Sequence, residues 1–163
     1  MHDADDQAVA QAWLALYACT PDPAMLQLLR KRYDMQMHSS DDPRRPLWWW
    51  CDALFMTPPV WAGLTAATHD PACLDYMDRQ WWVTSALLYD PTEHLYSQRR
   101  FLSAQARAQR PETVWSRGDG WVAAVLARVL ALMPTDYPQL PRHGQQFRQM
   151  AAWLAQLQGH DDL

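Results

Sequence analysis

The chain has 163 residues, 49% of them apolar and 20% charged, with a net charge of −4 and a pI near 5.8. That describes one soluble globular unit or a piece of one, able to hold a core without disulfides or metal, and its scattered arginines and mild acidity exclude a nucleic-acid binder. No apolar run reaches the roughly 18 residues of a membrane span, and Met1–Asp6 is acidic where a secretory signal needs a basic and then an apolar stretch.

Ten Trp, five Gly and no Ile, among many Ala, Leu, Met, Gln and Arg, favour helix along most of the chain. From Asp5 to Ala18, the residues Val9, Ala12, Trp13, Leu16 and Tyr17 recur at steps that predict one buried helical face. A turn with Pro21 and Pro23 follows. Met25, Leu26, Leu28, Leu29, Tyr33 and Met37 then mark a second helix that fades by His38. A polar stretch from Ser39 to Pro46 separates this pair from a third helix, expected from near Asp52 to about Thr68 with a bend at Pro58 and Pro59. Asp70 caps the fourth helix, with Pro71 in its first turn and Leu74, Met77, Trp81, Trp82, Leu87 and Leu88 along it. After Asp90 and Pro91 an irregular segment runs to Gly118, with short strands expected at Leu95–Ser97 and Val114–Ser116. A fifth helix spans about Asp119 to Leu132, and a sixth ends near Leu157. Trp13, Trp61, Trp82 and Trp153 fall on helical faces and are expected in the core.

The fold class is therefore all-α: three αα-hairpins, about residues 5–37, 52–88 and 119–157, closed by short turns and joined by longer connections. Repeats of this kind stack into solenoids or close into toroids. Side-by-side stacking gathers the long connections, with the first turn of the leading helix of each hairpin, at one mouth. There lie Asp5 and Asp6, then Trp48-Trp49-Trp50-Cys51-Asp52, then Trp115-Ser116-Arg117-Gly118-Asp119-Gly120-Trp121. Indole faces stack on sugar rings, Arg pairs with a uronate carboxylate, and a carboxylic acid moves protons, so the mouth reads as a carbohydrate site.

Blander readings stand beside this one. An Asp at a helix start is usually a cap, and Asp70 reads as only that. Asp52, behind three Trp and ahead of Ala53-Leu54-Phe55-Met56, has surroundings dry enough to raise a carboxyl pKa, as a general acid near neutrality requires. Arg117 reads equally as a salt-bridge partner of a neighbouring Asp or as a carboxylate-recognising group. The six His lack metal-binding spacing, so neither metal nor cofactor is expected. Cys19, Cys51 and Cys73 show no CxxC spacing and read as reduced thiols of a cytoplasmic protein, Cys51 as a small buried residue.

The segments WWWCDALFMTPPVW (Trp48–Trp61), LDYMDRQWW (Leu74–Trp82) and WSRGDGWVAAVLARVLALMP (Trp115–Pro134) closely resemble the unsaturated rhamnogalacturonyl hydrolases, glycoside hydrolase family 105, kin to the unsaturated glucuronyl hydrolases of family 88. The resemblance implies an (α/α)6 barrel of six hairpins, of which this chain supplies about three. It also implies action on the Δ4,5-unsaturated uronic acid that a lyase leaves on galacturonyl-rhamnose oligosaccharides of pectin. By it, Asp52 matches the general acid/base, Asp5 or Asp6 the second carboxylate, and Trp50, Trp115, Arg117, Asp119 and Trp121 the sugar-binding cleft. Three positions depart from the family pattern: Asp119 stands where Asn is usual, Ala10 where Gly is usual, and Ser97 near a usual cleft His. A half barrel leaves apolar edges open, so self-association is expected. The rival readings are a non-catalytic uronate-binding module and a structural scaffold.

Overall fold

The computed structural model of the chain describes residues 4–38, 46–98 and 114–159. In chain order these form α1 (Ala4–Cys19), α2 (Pro23–Met37), α3 (Cys51–Met56), α4 (Pro58–Thr68), α5 (Pro71–Leu88), β1 (Tyr89–Asp90), β2 (Leu95–Tyr96), α6 (Ser116–Leu132) and α7 (Leu140–Leu157). The starts of α2 and α5 follow the same rule. Asp22 accepts the Ala24 N–H at 2.9 Å and Asp70 accepts that of Ala72 at 3.0 Å, each with a proline at the first helical position, where no N–H is needed. The expected bend in the third helix is a break. Pro58 and Pro59 bring no N–H, so α3 stops at Thr57, whose hydroxyl bonds back to Ala53 O at 2.9 Å, and α4 restarts from the same residue.

The helices form two layers. In the inner one α1 packs on α3 and α4, and α6 packs on both of these as well. Gly63 allows that closeness: a Cβ there would stand 3.0 Å from Leu14 Cδ1. Helices α2, α5 and α7 form the outer layer, and long polar side chains bridge them. Gln36 reaches Tyr76 OH at 3.3 Å and Arg30 reaches Asp70 at 2.6 Å, while Trp81 Nε1 donates to Gln146 at 2.8 Å and His143 meets Asp78 at 2.9 Å. The physical reason is curvature, since helices on the outside of a curved double layer stand farther apart than those inside. Trp61, fully buried, joins the layers, with its ring 4.8 Å from Tyr33 and 4.3 Å from Tyr76.

Several expectations are corrected. The face read as buried on α1 is the open one: Val9 is 62% and Leu16 60% exposed, whereas Ala4, Gln7 and Ala10 are buried. As the edge of the array, α1 meets its neighbours through small residues and turns its large ones outward. Trp13 is consequently exposed and Trp82 and Trp153 are half-buried, leaving Trp61 as the one core residue among those four. Helix α6 begins three residues earlier than expected, so Arg117, Gly118 and Asp119 are helical. Strand β2 pairs antiparallel with β1, an element the sequence did not suggest, and Ser97 meets Val114 in a single bridge. The stretch from Ser39 to Arg45 and the centre of the connection before Val114 lie outside the described residues. Among those described, no helix is long and apolar enough to cross a membrane.

Candidate active site

Backbone hydrogen bonds from the strand segment after α5 bring two helix starts together. Cys51 N donates to Gln98 O at 2.9 Å, fixing the head of α3. Tyr96 N donates to Asp119 Oδ1 at 2.7 Å, fixing the head of α6. Tyr96 is itself anchored through its hydroxyl, 2.6 Å from Ser85 Oγ and 2.9 Å from Gln146 Nε2. Between the heads Gly118 makes room for two side chains: a Cβ there would lie 2.8 Å from both Cys51 Sγ and Trp115 Cε3. Gly118→Ala is therefore expected to cost about 1–3 kcal/mol of overpacking, more than the up to about 1 kcal/mol that Ala gains in a helix. Thermal unfolding should show the loss, and a unchanged melting temperature would contradict the close approach.

Asp52 sits in the first turn of α3, half-buried, and accepts a hydrogen bond from the Cys51 thiol, with Sγ 3.2 Å from Oδ1. Cys51 is buried and stays a thiol. Burial, the bond to Asp52 and the charges of Asp52 and Asp119 all push its pKa far above the usual range. One turn along α3, Phe55 stacks on Trp121 with ring centres 5.8 Å apart, and Trp121 meets Trp115 edge-on at 5.3 Å. The Arg117 guanidinium lies 4.3 Å from the Trp115 ring and 5.6 Å from that of Trp121. Arg117 is exposed, and no salt bridge to a neighbouring Asp is formed among the described residues. Trp50 precedes α3, half-buried, with its ring 4.8 Å from the exposed Trp49, while Trp48 is wholly buried.

The dry carboxyl expected at Asp52 is found at Asp119. Asp119 is 1% exposed, and burial pushes its pKa up from 3.8 to about 6 against the opposing hydrogen bond from Tyr96. Asp5 and Asp6 occupy the first turn of α1, both exposed, and Asp6 borders an apolar groove between α1 and α2 with Lys31 and Arg32. Asp70 is the cap it was expected to be, and Arg30 holds its carboxyl below the ordinary carboxylate range. A cavity of about 520 Å³ opens elsewhere, against the C-terminal halves of α1, α4 and α6 with Leu14, Ala18, Ala67 and Leu132 in its wall. Sequence reasoning missed Tyr96, Gln98 and Phe55. A glycine wedged between Arg117 and Asp119 was the one local sign of the close approach.

The arrangement is one of carbohydrate chemistry, with an indole–guanidinium platform beside a half-buried carboxyl in a double-layered helical array. The whole chain, residues 1–163, matches Glycosyl Hydrolase Family 88, and the protein belongs to that family. It is the family named above as kin of family 105. An unsaturated 3S-rhamnoglycuronyl hydrolase of Formosa agariphila is 32% identical over 181 residues, which take in 100% of this chain and 48% of that protein. A protein of the same name from an Alteromonas species is 28% identical, with 98% of this chain and 43% of that one covered. Among solved structures, a glycosyl hydrolase family 88 protein from Bacteroides vulgatus superposes with a TM-score of 0.86 at 28% identity, covering 98% of this chain and 46% of that one. A family 105 glycoside hydrolase of C. acetobutylicum, at 15% identity and a TM-score of 0.78, shares the fold. The chain thus spans about half the length of the relatives it matches.

Proposed function

We propose that the chain forms the acid/base half of a glycosidase that removes a Δ4,5-unsaturated uronic acid from uronyl-rhamnose oligosaccharides by hydrating its vinyl ether. The single observation that carries this reading is the seating of Asp52 beside the Trp115–Arg117–Trp121 stack through Cys51, Gly118 and Phe55. Arg117 pairs with the uronate carboxylate and the indoles of Trp115, Trp121 and Trp50 present faces to the sugar. The Asp52 acid gives its proton to C4 of the double bond. As a carboxylate it then takes a proton from the water that adds at C5, which restores the acid. The adduct is a hemiketal, whose opening frees the neighbouring sugar. Asp5 or Asp6, in the first turn of α1, is the second carboxylate of this scheme. Galacturonyl-rhamnose of pectin is the substrate this reading favours, and the two hydrolases above are named for a 3S-rhamnoglycuronyl substrate.

The test is absorbance at the enol-ether band when the chain meets an unsaturated uronyl-rhamnose disaccharide. Loss of the band supports hydration, whereas binding without loss makes this a uronate-binding module. The apolar groove between α1 and α2, about 410 Å³ and bordered by Val9, Trp13, Leu28 and Met35, belongs to an open edge that we read as covered by self-association. Light scattering is expected to return a multiple of the chain mass, and a monomer at high concentration overturns that reading.

A further inference from the structure

Asp119 is a buried carboxyl for which the scheme above has no use. Its Oδ1 is held by Tyr96 N–H, and its Oδ2 is buried with no hydrogen-bond partner among the described residues. Among the described residues, two titratable groups face it from the elements packed on it, Cys51 of α3 and Tyr96 of β2. Burial keeps both of them protonated and uncharged, so neither supplies a countercharge. Asp52, one residue beyond Cys51, is acidic as well and supplies no countercharge either. Arg117, on the same helix, is turned out over Trp115 and Trp121. A uronate drawn to Arg117 therefore brings further negative charge toward a dry region that already holds a carboxyl without a countercharge among the described residues, where like charges oppose each other strongly. A proton taken from solvent removes that opposition and leaves Oδ1 free to keep its hydrogen bond.

We propose that Asp119 is a positioning residue that clamps the Trp115–Trp121 turn to β2 and couples the hold on an anionic sugar to the uptake of one proton. The coupling rests on the function proposed above, but the clamp does not. It is a departure from simple uronate binding, because affinity then falls as pH rises through the range where Asp119 ionises, well above the range where a sugar carboxylate does. The rise of its pKa to about 6 places that range within reach of ordinary buffers.

The test compares wild type, Asp119→Asn and Asp119→Ala at about pH 4.5 and about pH 7.5. Binding of an unsaturated uronyl disaccharide to wild type is expected to weaken on the order of tenfold between the two, the scale of a typical coupling between sites. Asp119→Asn keeps the acceptor for Tyr96 N–H and should bind with little change between them, while Asp119→Ala, lacking the clamp, should bind more weakly at both. Equal pH dependence in wild type and Asp119→Asn overturns the coupling. Absence of uronate binding in every variant overturns the function proposed above, and melting temperature then decides the clamp alone. Asp119→Asn should melt above wild type only at the higher pH and Asp119→Ala below it at the lower one; an equal offset at both values overturns the clamp.

Discussion

Asp52→Asn is expected to slow turnover of an unsaturated uronyl-rhamnose disaccharide by about 10²–10⁴-fold, the contribution of a positioned general acid. The substitution keeps size and shape and leaves an oxygen to accept the Cys51 thiol, so the head of α3 stays where Gln98 holds it. What disappears is a proton that can be given to carbon and taken back from water. Substrate affinity should change little, because Trp115, Arg117 and Trp121 are untouched, and the melting temperature should stay within about 2 °C of wild type. The measurement is the initial rate of enol-ether loss with binding followed in parallel. A variant that turns over within about threefold of wild type would remove Asp52 from the acid role, and one that loses binding together with rate would make it a sugar contact.

Trp61→Ala is expected to cost about 3–5 kcal/mol, a large share of the ~5–15 kcal/mol that hold a domain together. The ring is completely buried, and its contacts with Tyr33 of α2 and Tyr76 of α5 join the two layers and the first two hairpins. The deletion opens a cavity where α4 meets α2 and α5, and packed helices close such a space only in part. Trp61→Phe makes the contrast. It keeps an aromatic ring between the two tyrosines and removes an indole N–H that has no hydrogen-bond partner among the described residues, so its cost should stay below about 2 kcal/mol. Urea unfolding of both variants checks the pair. A Phe variant as unstable as the Ala variant would show that the indole N–H finds a partner after all.

The pH dependence of stability carries a sign that Asp119 dictates. Its folded pKa is raised from 3.8 to about 6, so between those values the native state holds the extra proton. Stability therefore falls as pH rises through that window and levels off above it. A shift of this size is worth roughly 3 kcal/mol, and Asp119→Asn escapes it. Because the Asn amide group would bury two donors next to Cys51, the net gain of the variant at neutral pH should be smaller, on the order of 1–2 kcal/mol.

Helices, turns and order of elements were legible in the chain because each rests on local chemistry. Asp22 with Pro23 and Asp70 with Pro71 write helix starts wherever the segment sits in space, and Pro58 with Pro59 writes an interruption, expected as a bend and found as a break. The resemblance in WWWCDALFM and WSRGDGW reached the family for the same reason, since it needed only residues close in sequence.

What the one-dimensional pattern had no means of settling was which faces meet. The apolar stripe of Val9 and Leu16 has the period of a buried face, yet it is exposed, because α1 stands at an edge with neighbours on one side only. Asp52 and Asp119 are both first-turn carboxyls flanked by Trp, and nothing local says that the second is sealed and the first is open. That division follows from a strand segment remote in sequence: Tyr96, 23 residues before Asp119, holds its carboxyl, and Gln98 takes up the head of α3. Periodicity and capping are properties of a segment and its own hydrogen bonds, whereas burial and the proton affinity that burial shifts are properties of what the segment is packed against.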